Sequence, residues 1–150
     1  MKKFGIAVLS LLMIATALSA LDEGRFMRYP TIHKDKIVFA YEGDLWTVGG
    51  SCQTAVRLTS APGTETAAKF SPDGKWLAFT ASYDGPPSVY VMPAEGGAPR
   101  RLTYTPGAAF VVGWTPDSGR VVFRSMFENV VGRDPNLYFV SRDGSAPERF

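Results

Sequence analysis

Phe70-Ser71-Pro72-Asp73-Gly74-Lys75-Trp76-Leu77-Ala78-Phe79 reads as strand, tight turn, strand. Proline presets φ for a turn, an aspartate side chain can cap it, and glycine tolerates positive φ. The apolar run behind the turn is short and rich in aromatics, which suits a buried strand. The stretch returns 44 residues later as Trp114-Thr115-Pro116-Asp117-Ser118-Gly119-Arg120-Val121-Val122-Phe123. Arg57-Leu58-Thr59 recurs at the same offset as Arg101-Leu102-Thr103, and Pro62-Gly63 as Pro106-Gly107. Leu45-Trp46 has counterparts in Val89-Tyr90 and Leu137-Tyr138. A repeat of about 40–50 residues made of short strands is the signature of a β-propeller, with one four-stranded sheet per blade. The expected fold is therefore all-β: a partial β-propeller of about three four-stranded antiparallel blades, repeating every 44 residues or so.

The blades are expected at 30–59, 67–103 and 110–150, behind a polar lead-in at 20–29. In blade one, His33-Lys34-Asp35-Lys36 stands in place of the proline–aspartate turn, and Gly49-Gly50-Ser51-Cys52 forms a later turn. Phe39, Phe79 and Phe123 are expected at equivalent positions, and the third blade is expected to lack a complete outer strand at Pro147-Glu148-Arg149-Phe150. The second and third strands are near-continuous apolar runs, as befits sheets covered on both faces. Trp46, Trp76 and Trp114 are assigned to packing between blades. Pro99-Arg100-Arg101 falls on an outer strand, where such residues discourage aberrant pairing. The loop between the second and third strands lengthens along the chain: Phe39 to Leu45 is six positions, Phe79 to Val89 ten, Phe123 to Leu137 fourteen. Variable loops on a fixed scaffold are where binding resides.

The N-terminus is a separate object. Lys2 and Lys3 precede an uncharged stretch, residues 4–18, and small residues at cleavage spacing, Ala15-Thr16-Ala17 and Ala17-Leu18-Ser19. This is the pattern of a signal peptide, assigned to residues 1–19. It is shorter than the ~20 apolar residues that span a bilayer. Without its two lysines the 16 Lys+Arg fall to 14, balancing 14 Asp+Glu. That leaves no basic surface for nucleic acid, whose binding rests on neutralising phosphates, and no membrane association is expected after cleavage. The single cysteine, Cys52, cannot form an internal disulfide. An exported chain with a lone thiol fits a bacterial periplasm.

Catalytic chemistry is not assigned. Serine hydrolysis needs a nucleophile with a base in reach and a group orienting that base. His33 is the one histidine, and it sits in an expected hairpin turn. No G-x-S-x-G elbow and no Cys/His cluster with metal spacing occurs. Asp73, Asp84, Asp117 and Asp143 stand in or beside glycine turns and are read as turn caps, since none belongs to a dense run of oxygen ligands. No catalytic, cofactor-binding or metal-binding residue and no cofactor is therefore expected.

Repeats of this form, strand, S-P-D-G-K, strand, Y-V-M and R-L-T, resemble those of the Tol-system periplasmic protein and of the N-terminal propeller of the tricorn protease family. Tyr29-Pro30-Thr31-Ile32-His33, Lys36-Ile37-Val38-Phe39 and Tyr41-Glu42-Gly43-Asp44-Leu45-Trp46 are most similar to the opening blade of tricorn-type proteins. Val112-Gly113-Trp114-Thr115-Pro116-Asp117 and Val122-Phe123-Arg124-Ser125 resemble that family's third blade. The resemblance covers residues 26–150, and the opening blade favours tricorn over Tol. Lys34, where the family often has glycine, and the displaced glycine of Asp117-Ser118-Gly119 depart from the pattern and should alter turn geometry locally.

The resemblance implies a six-bladed propeller at the start of a very long serine peptidase, followed by a second propeller, a PDZ domain and catalytic domains. It implies a non-catalytic role in gating or channelling peptides, with the remaining blades and the catalytic domains as partners. The family's catalytic serine and histidine have no counterpart here. Two other readings stay open: a Tol-like propeller that docks envelope proteins, and the propeller of another hydrolase, of prolyl-oligopeptidase or amidohydrolase type.

Overall fold

The computed structural model describes residues 26–50, 52–128 and 134–150. The expected signal peptide at 1–19 lies outside the described residues. The described chain contains twelve strands and no helix. Blade one is β1 (Arg28–His33), β2 (Lys36–Tyr41), β3 (Asp44–Gly49) and β4 (Cys52–Arg57). Blade two is β5 (Glu65–Phe70), β6 (Trp76–Ala81), β7 (Ser88–Pro93) and β8 (Arg100–Arg101). Blade three is β9 (Ala109–Trp114), β10 (Arg120–Ser125), β11 (Asn136–Ser141) and β12 (Glu148–Arg149). Each blade is a four-stranded antiparallel meander in chain order. The first strands are neighbours, β1 beside β5 and β5 beside β9, so the three sheets stack like partial propeller blades. The outer strand expected to be incomplete is present: β12 pairs with β11 and matches β8 in length.

The alternation of side chains along a strand sorts residues between two seams. Leu77, Phe79 and Ala81 of β6, with Tyr90 and Met92 of β7, pack on Val38, Ala40 and Leu45 of blade one. The intervening Ala78, Val89 and Val91 face the other way, onto Val111, Val121, Phe123 and Tyr138 of blade three. Both faces of β6 and β7 are thus buried, which is why these two strands are near-continuous apolar runs. Blades two and three each turn a large aromatic pair toward the preceding blade. Phe79 stacks beside Tyr90 at 6.0 Å and Phe123 beside Tyr138 at 5.5 Å, while Phe39 sits opposite Trp46 in the same register. Those rings are received by Val38, Ala40 and Leu45 of blade one and by Ala78, Val89 and Val91 of blade two. Phe39, Phe79 and Phe123 are therefore equivalent, as expected.

Recurring motifs prove to be recurring hydrogen-bond sets. In the central turn Ser71 Oγ donates to Asp73 Oδ1 at 2.5 Å, Asp73 Oδ1 also accepts the Lys75 N–H at 3.1 Å, and Ser71 Oγ accepts the Trp76 N–H at 3.0 Å. Thr115, Asp117, Gly119 and Arg120 repeat all three bonds at 2.5, 3.0 and 3.0 Å. Ser118 holds φ 60 where Gly74 holds φ 73, so the displaced glycine leaves the turn geometry intact. The hydroxyl of Ser118 accepts the Asp73 N–H across the seam at 3.1 Å, a contact glycine could not make. The R-L-T motif is equally literal. Arg57 Nε donates to the Thr59 carbonyl at 2.7 Å and Arg101 Nε to the Thr103 carbonyl at 2.6 Å. The same guanidinium groups reach back to the start of the third strand, Arg57 to Asp44 at 2.7 Å and Arg101 to Ser88 Oγ at 2.9 Å.

His33 to Lys36 is a hairpin turn, as expected, with His33 and Lys36 paired and Lys34 and Asp35 between them. One local expectation needs correction. Cys52 is the first residue of β4, paired with Gly49, not a turn residue. Trp46 lies at neither described seam, but at the position that Tyr90 and Tyr138 use for packing between blades. It faces away from blade two, edge-on to Tyr41 at 6.0 Å, because it occupies the β3 position of Tyr90 and Tyr138. Trp76 and Trp114 do pack at the second seam, as expected.

Candidate functional site

The ends of β2, β6 and β10 and the starts of β3, β7 and β11 lie at one end of the blades, where the chain also enters β5 and β9. Tyr41 and Asp44 pair directly, leaving only Glu42 (φ 51) and Gly43 (φ 92) in the first turn, a geometry that matches the twist of a tight hairpin. On this end, between blades one and two, lies a cavity of about 350 Å³. Its walls include Phe26, Arg28, Tyr29, Ala40, Glu42 and Glu65. Tyr29 takes φ 52 where the β1–β2 register shifts, so the bulge delivers its side chain to the rim. The matching place at the second seam is bridged instead. Thr80 Oγ1 accepts the Val111 N–H at 2.9 Å, whereas its β2 equivalent, Ala40, has no hydroxyl to offer.

Glu65 forms part of the wall and is fully buried. Its carboxylate is held by donors from both blades. Oε2 accepts the Leu45 N–H at 3.0 Å and the Thr59 hydroxyl, and Oε1 accepts the Tyr83 hydroxyl. A buried carboxylate is tolerable only when so paired. Burial, reinforced by the bond to Glu65, pushes the Tyr83 phenol well above the usual 10.0 and keeps it a donor. Burial likewise raises Tyr90, against which Tyr83 packs edge-on at 4.8 Å. The sequence reading did not single out Glu65 or Tyr83, because neither belongs to a stretch that repeats. Thr59 was noticed only as part of R-L-T.

The singled-out residues scatter. His33 ends β1 at the opposite end of the blades, half-buried and 5.8 Å from the ring of Phe70. A Cβ built on Gly74 would fall on its imidazole, so His33 serves as seam packing against blade two. Asp73 and Asp117 cap their turns, and those hydrogen bonds hold both carboxyls below the usual 3.8. Asp84 sits exposed in the β6–β7 loop. Asp143 is exposed in the β11–β12 turn, where Arg142 approaches at 3.5 Å and Arg100 at 4.0 Å. Among the described residues no group of His, Cys, Asp and Glu could hold a metal ion. No helix among them is long and apolar enough to cross a membrane.

Residues 24–150 match the family described as the tricorn protease N-terminal beta propeller domain. The chain belongs to that family. This tricorn-type propeller is 35% identical over 103 residues to tricorn protease homolog 1 of Streptomyces coelicolor, a match covering 68% of this chain and 10% of that protein. It is 31% identical over 123 residues to the tricorn protease of Thermoplasma acidophilum, covering 79% of this chain and 10% of that one. It thus spans about a tenth of the length of these relatives. Among solved structures it superimposes on the tricorn protease with TM-score 0.70 at 26% identity, covering 79% of this chain and 12% of that one. It superimposes on TolB from Acinetobacter baumannii with TM-score 0.65 at 26% identity, covering 82% and 31%.

Proposed function

We propose that this chain is the non-catalytic propeller of an exported, tricorn-like serine peptidase, and that its loop end admits or channels peptides toward catalytic domains elsewhere in the protein. The observation that carries the reading is the family match over residues 24–150, a span equal to about a tenth of the relatives. The geometry is in keeping with it. The loops that vary most share one end, and a cavity of about 350 Å³ opens there. His33 lies at the other end, tucked against Gly74. Export rests on Lys2, Lys3 and the uncharged residues 4–18.

The test is a length series of fluorogenic peptides. Residues 26–150 alone should hydrolyse none of them, and turnover that survives purification and is abolished by His33→Ala would overturn the non-catalytic reading. In the full-length protein, shortening the β10–β11 loop to a two-residue turn should change kcat/KM for long peptides and leave tripeptides unaffected. Equal effects on both would sink the channelling role. Mass spectrometry of exported protein should find residues 1–19 absent. The likeness to TolB from Acinetobacter baumannii supports a second reading, a periplasmic propeller that docks envelope proteins. Full-length protein without peptidase activity that captures envelope proteins would favour it.

A further inference from the structure

The two seams begin alike. Leu45 and Val89 occupy the same place in β3 and β7, and their N–H groups donate to the hydroxyls of Thr59 and Thr103, each at 2.9 Å. Beyond that point they differ at two equivalent positions. Glu65 lies opposite Ala81 and Ala109 opposite Ser125, so 65 and 109 correspond. Tyr83 and Phe127 each follow two residues behind the end of the second strand, and their rings rest on Tyr90 at 4.8 Å and on Tyr138 at 4.6 Å. The first seam thus carries Glu with Tyr, hydroxyl on carboxylate; the second carries Ala with Phe, lacking both polar groups.

We propose that Glu65 and Tyr83 form a latch that keeps the seam between blades one and two shut, and that Ala109 and Phe127 are the apolar form of the same latch, so that the two forms work only as pairs. The carboxylate ties together both blades: Leu45 and Thr59 belong to blade one and its connection, Tyr83 to blade two. It also walls the cavity at that seam, where Ala40 leaves out the bridge that Thr80 supplies next door. Opening the latch therefore opens the seam at the cavity. The pairing follows from the cost of orphaned buried groups. Removing the Tyr83 hydroxyl alone strips a donor from a buried carboxylate. Removing the carboxylate alone strands the Tyr83 and Thr59 hydroxyls. Removing both leaves Leu45 N–H still bonded to Thr59, the arrangement already present at the second seam.

The experiment compares Tyr83→Phe, Glu65→Ala and the double variant in the full-length protein, by thermal melts and by hydrogen exchange at the Leu45 and Val89 amides. Each single variant should speed Leu45 exchange roughly tenfold or more relative to Val89. Adding Glu65→Ala to Tyr83→Phe should slow Leu45 exchange again and raise the melting temperature above that of Tyr83→Phe. A double variant as fast as the product of the two singles shows that the positions do not act as a pair and overturns the proposal. If the single variants do not fold, the reciprocal change decides. Ala109→Glu/Phe127→Tyr should melt above Ala109→Glu alone, and a pair melting at or below that single variant overturns the proposal as well.

Discussion

The indole N–H of Trp114 donates to the carbonyl oxygen of Lys69 at 2.9 Å, joining the first strand of blade three to the first strand of blade two. The rest of the ring packs against the second core. The bond lies between the inner strands at the seam of blades two and three and is part-buried. Trp114→Phe keeps most of the packing and deletes the donor. It should lower stability by about 1 kcal/mol, more if the smaller ring leaves a void. A denaturant melt of the full-length protein checks this, and an unchanged midpoint would mean that water replaces the indole.

Gly63 and Gly107 occupy the same place in their repeats and both have positive φ, 141 and 86. Their surroundings differ. A Cβ on Gly63 would stand 2.6 Å from the Ser82 carbonyl oxygen, whereas one on Gly107 would meet nothing within 4 Å. Gly107→Ala should therefore cost only the backbone strain, about 1–2 kcal/mol. Gly63→Ala should cost that plus a displacement of the Thr64–Ser82 backbone contact, roughly another 1–3 kcal/mol. Parallel melts of the two variants give the difference, and equal losses would show that the Ser82 carbonyl moves freely.

Asp73 and Asp117 have carboxyls lowered below 3.8, first by the hydroxyls of Ser71 and Thr115 and next by backbone N–H groups. A depressed folded-state value means the unfolded chain takes up protons first as pH falls. The contribution of these turns is complete well above 3.8, starts to fall as pH approaches that value, and is gone once pH drops below the lowered folded-state values. Both groups are solvent-facing, so the effect is small. The Asp73→Asn/Asp117→Asn variant should lose stability at neutral pH and show a flatter acid limb than the parent. Superimposable pH–stability curves would rule out the caps as contributors.

The repeat was legible because the groups that build it are invariant between copies. Ser or Thr, Asp and the positive-φ residue make the turn, and Arg and Thr of R-L-T make the outer-strand clasp, so identity at one offset reported a shared hydrogen-bond set. The match of Leu45-Trp46 with Val89-Tyr90 and Leu137-Tyr138 was legible in the same way, since the three pairs stand at one register position of β3, β7 and β11. The Glu65–Tyr83 pair was invisible to a search for likeness, because its meaning lies in the difference from Ala109 and Phe127. The arginines of β8 stand on the edge strand, as expected. Their contacts were not legible: Arg101 clasps Thr103 and Ser88, and Arg100 reaches the carbonyls of Arg142 and Asp143 in blade three.

The face that blade three turns away from blade two has no blade against it among the described residues. Positions that are fully buried in blade one, such as Val38 and Leu45, recur here as Val122 and Leu137, and Leu137 is 39% exposed. Arg120 lies over Phe139 at 4.5 Å and Phe150 packs beside it at 5.0 Å, and Phe150 is itself 76% exposed. Arg124 lies over Phe110 at 5.2 Å on the same side. Burial is worth about 25 cal/mol per Å², so an uncovered face of a few hundred Å² forfeits several kcal/mol against a domain stability of about 5–15 kcal/mol. Residues 26–150 purified alone should therefore self-associate or melt over a broad range. Leu137→Asp with Phe150→Ser should shift that fragment toward monomer in size-exclusion chromatography. In the full-length protein, where a following blade would cover the face, Leu137→Asp should instead lower the melting temperature, as it would bury a carboxylate without a partner. A monodisperse monomer of residues 26–150 with one sharp transition would show that three blades suffice without a cover.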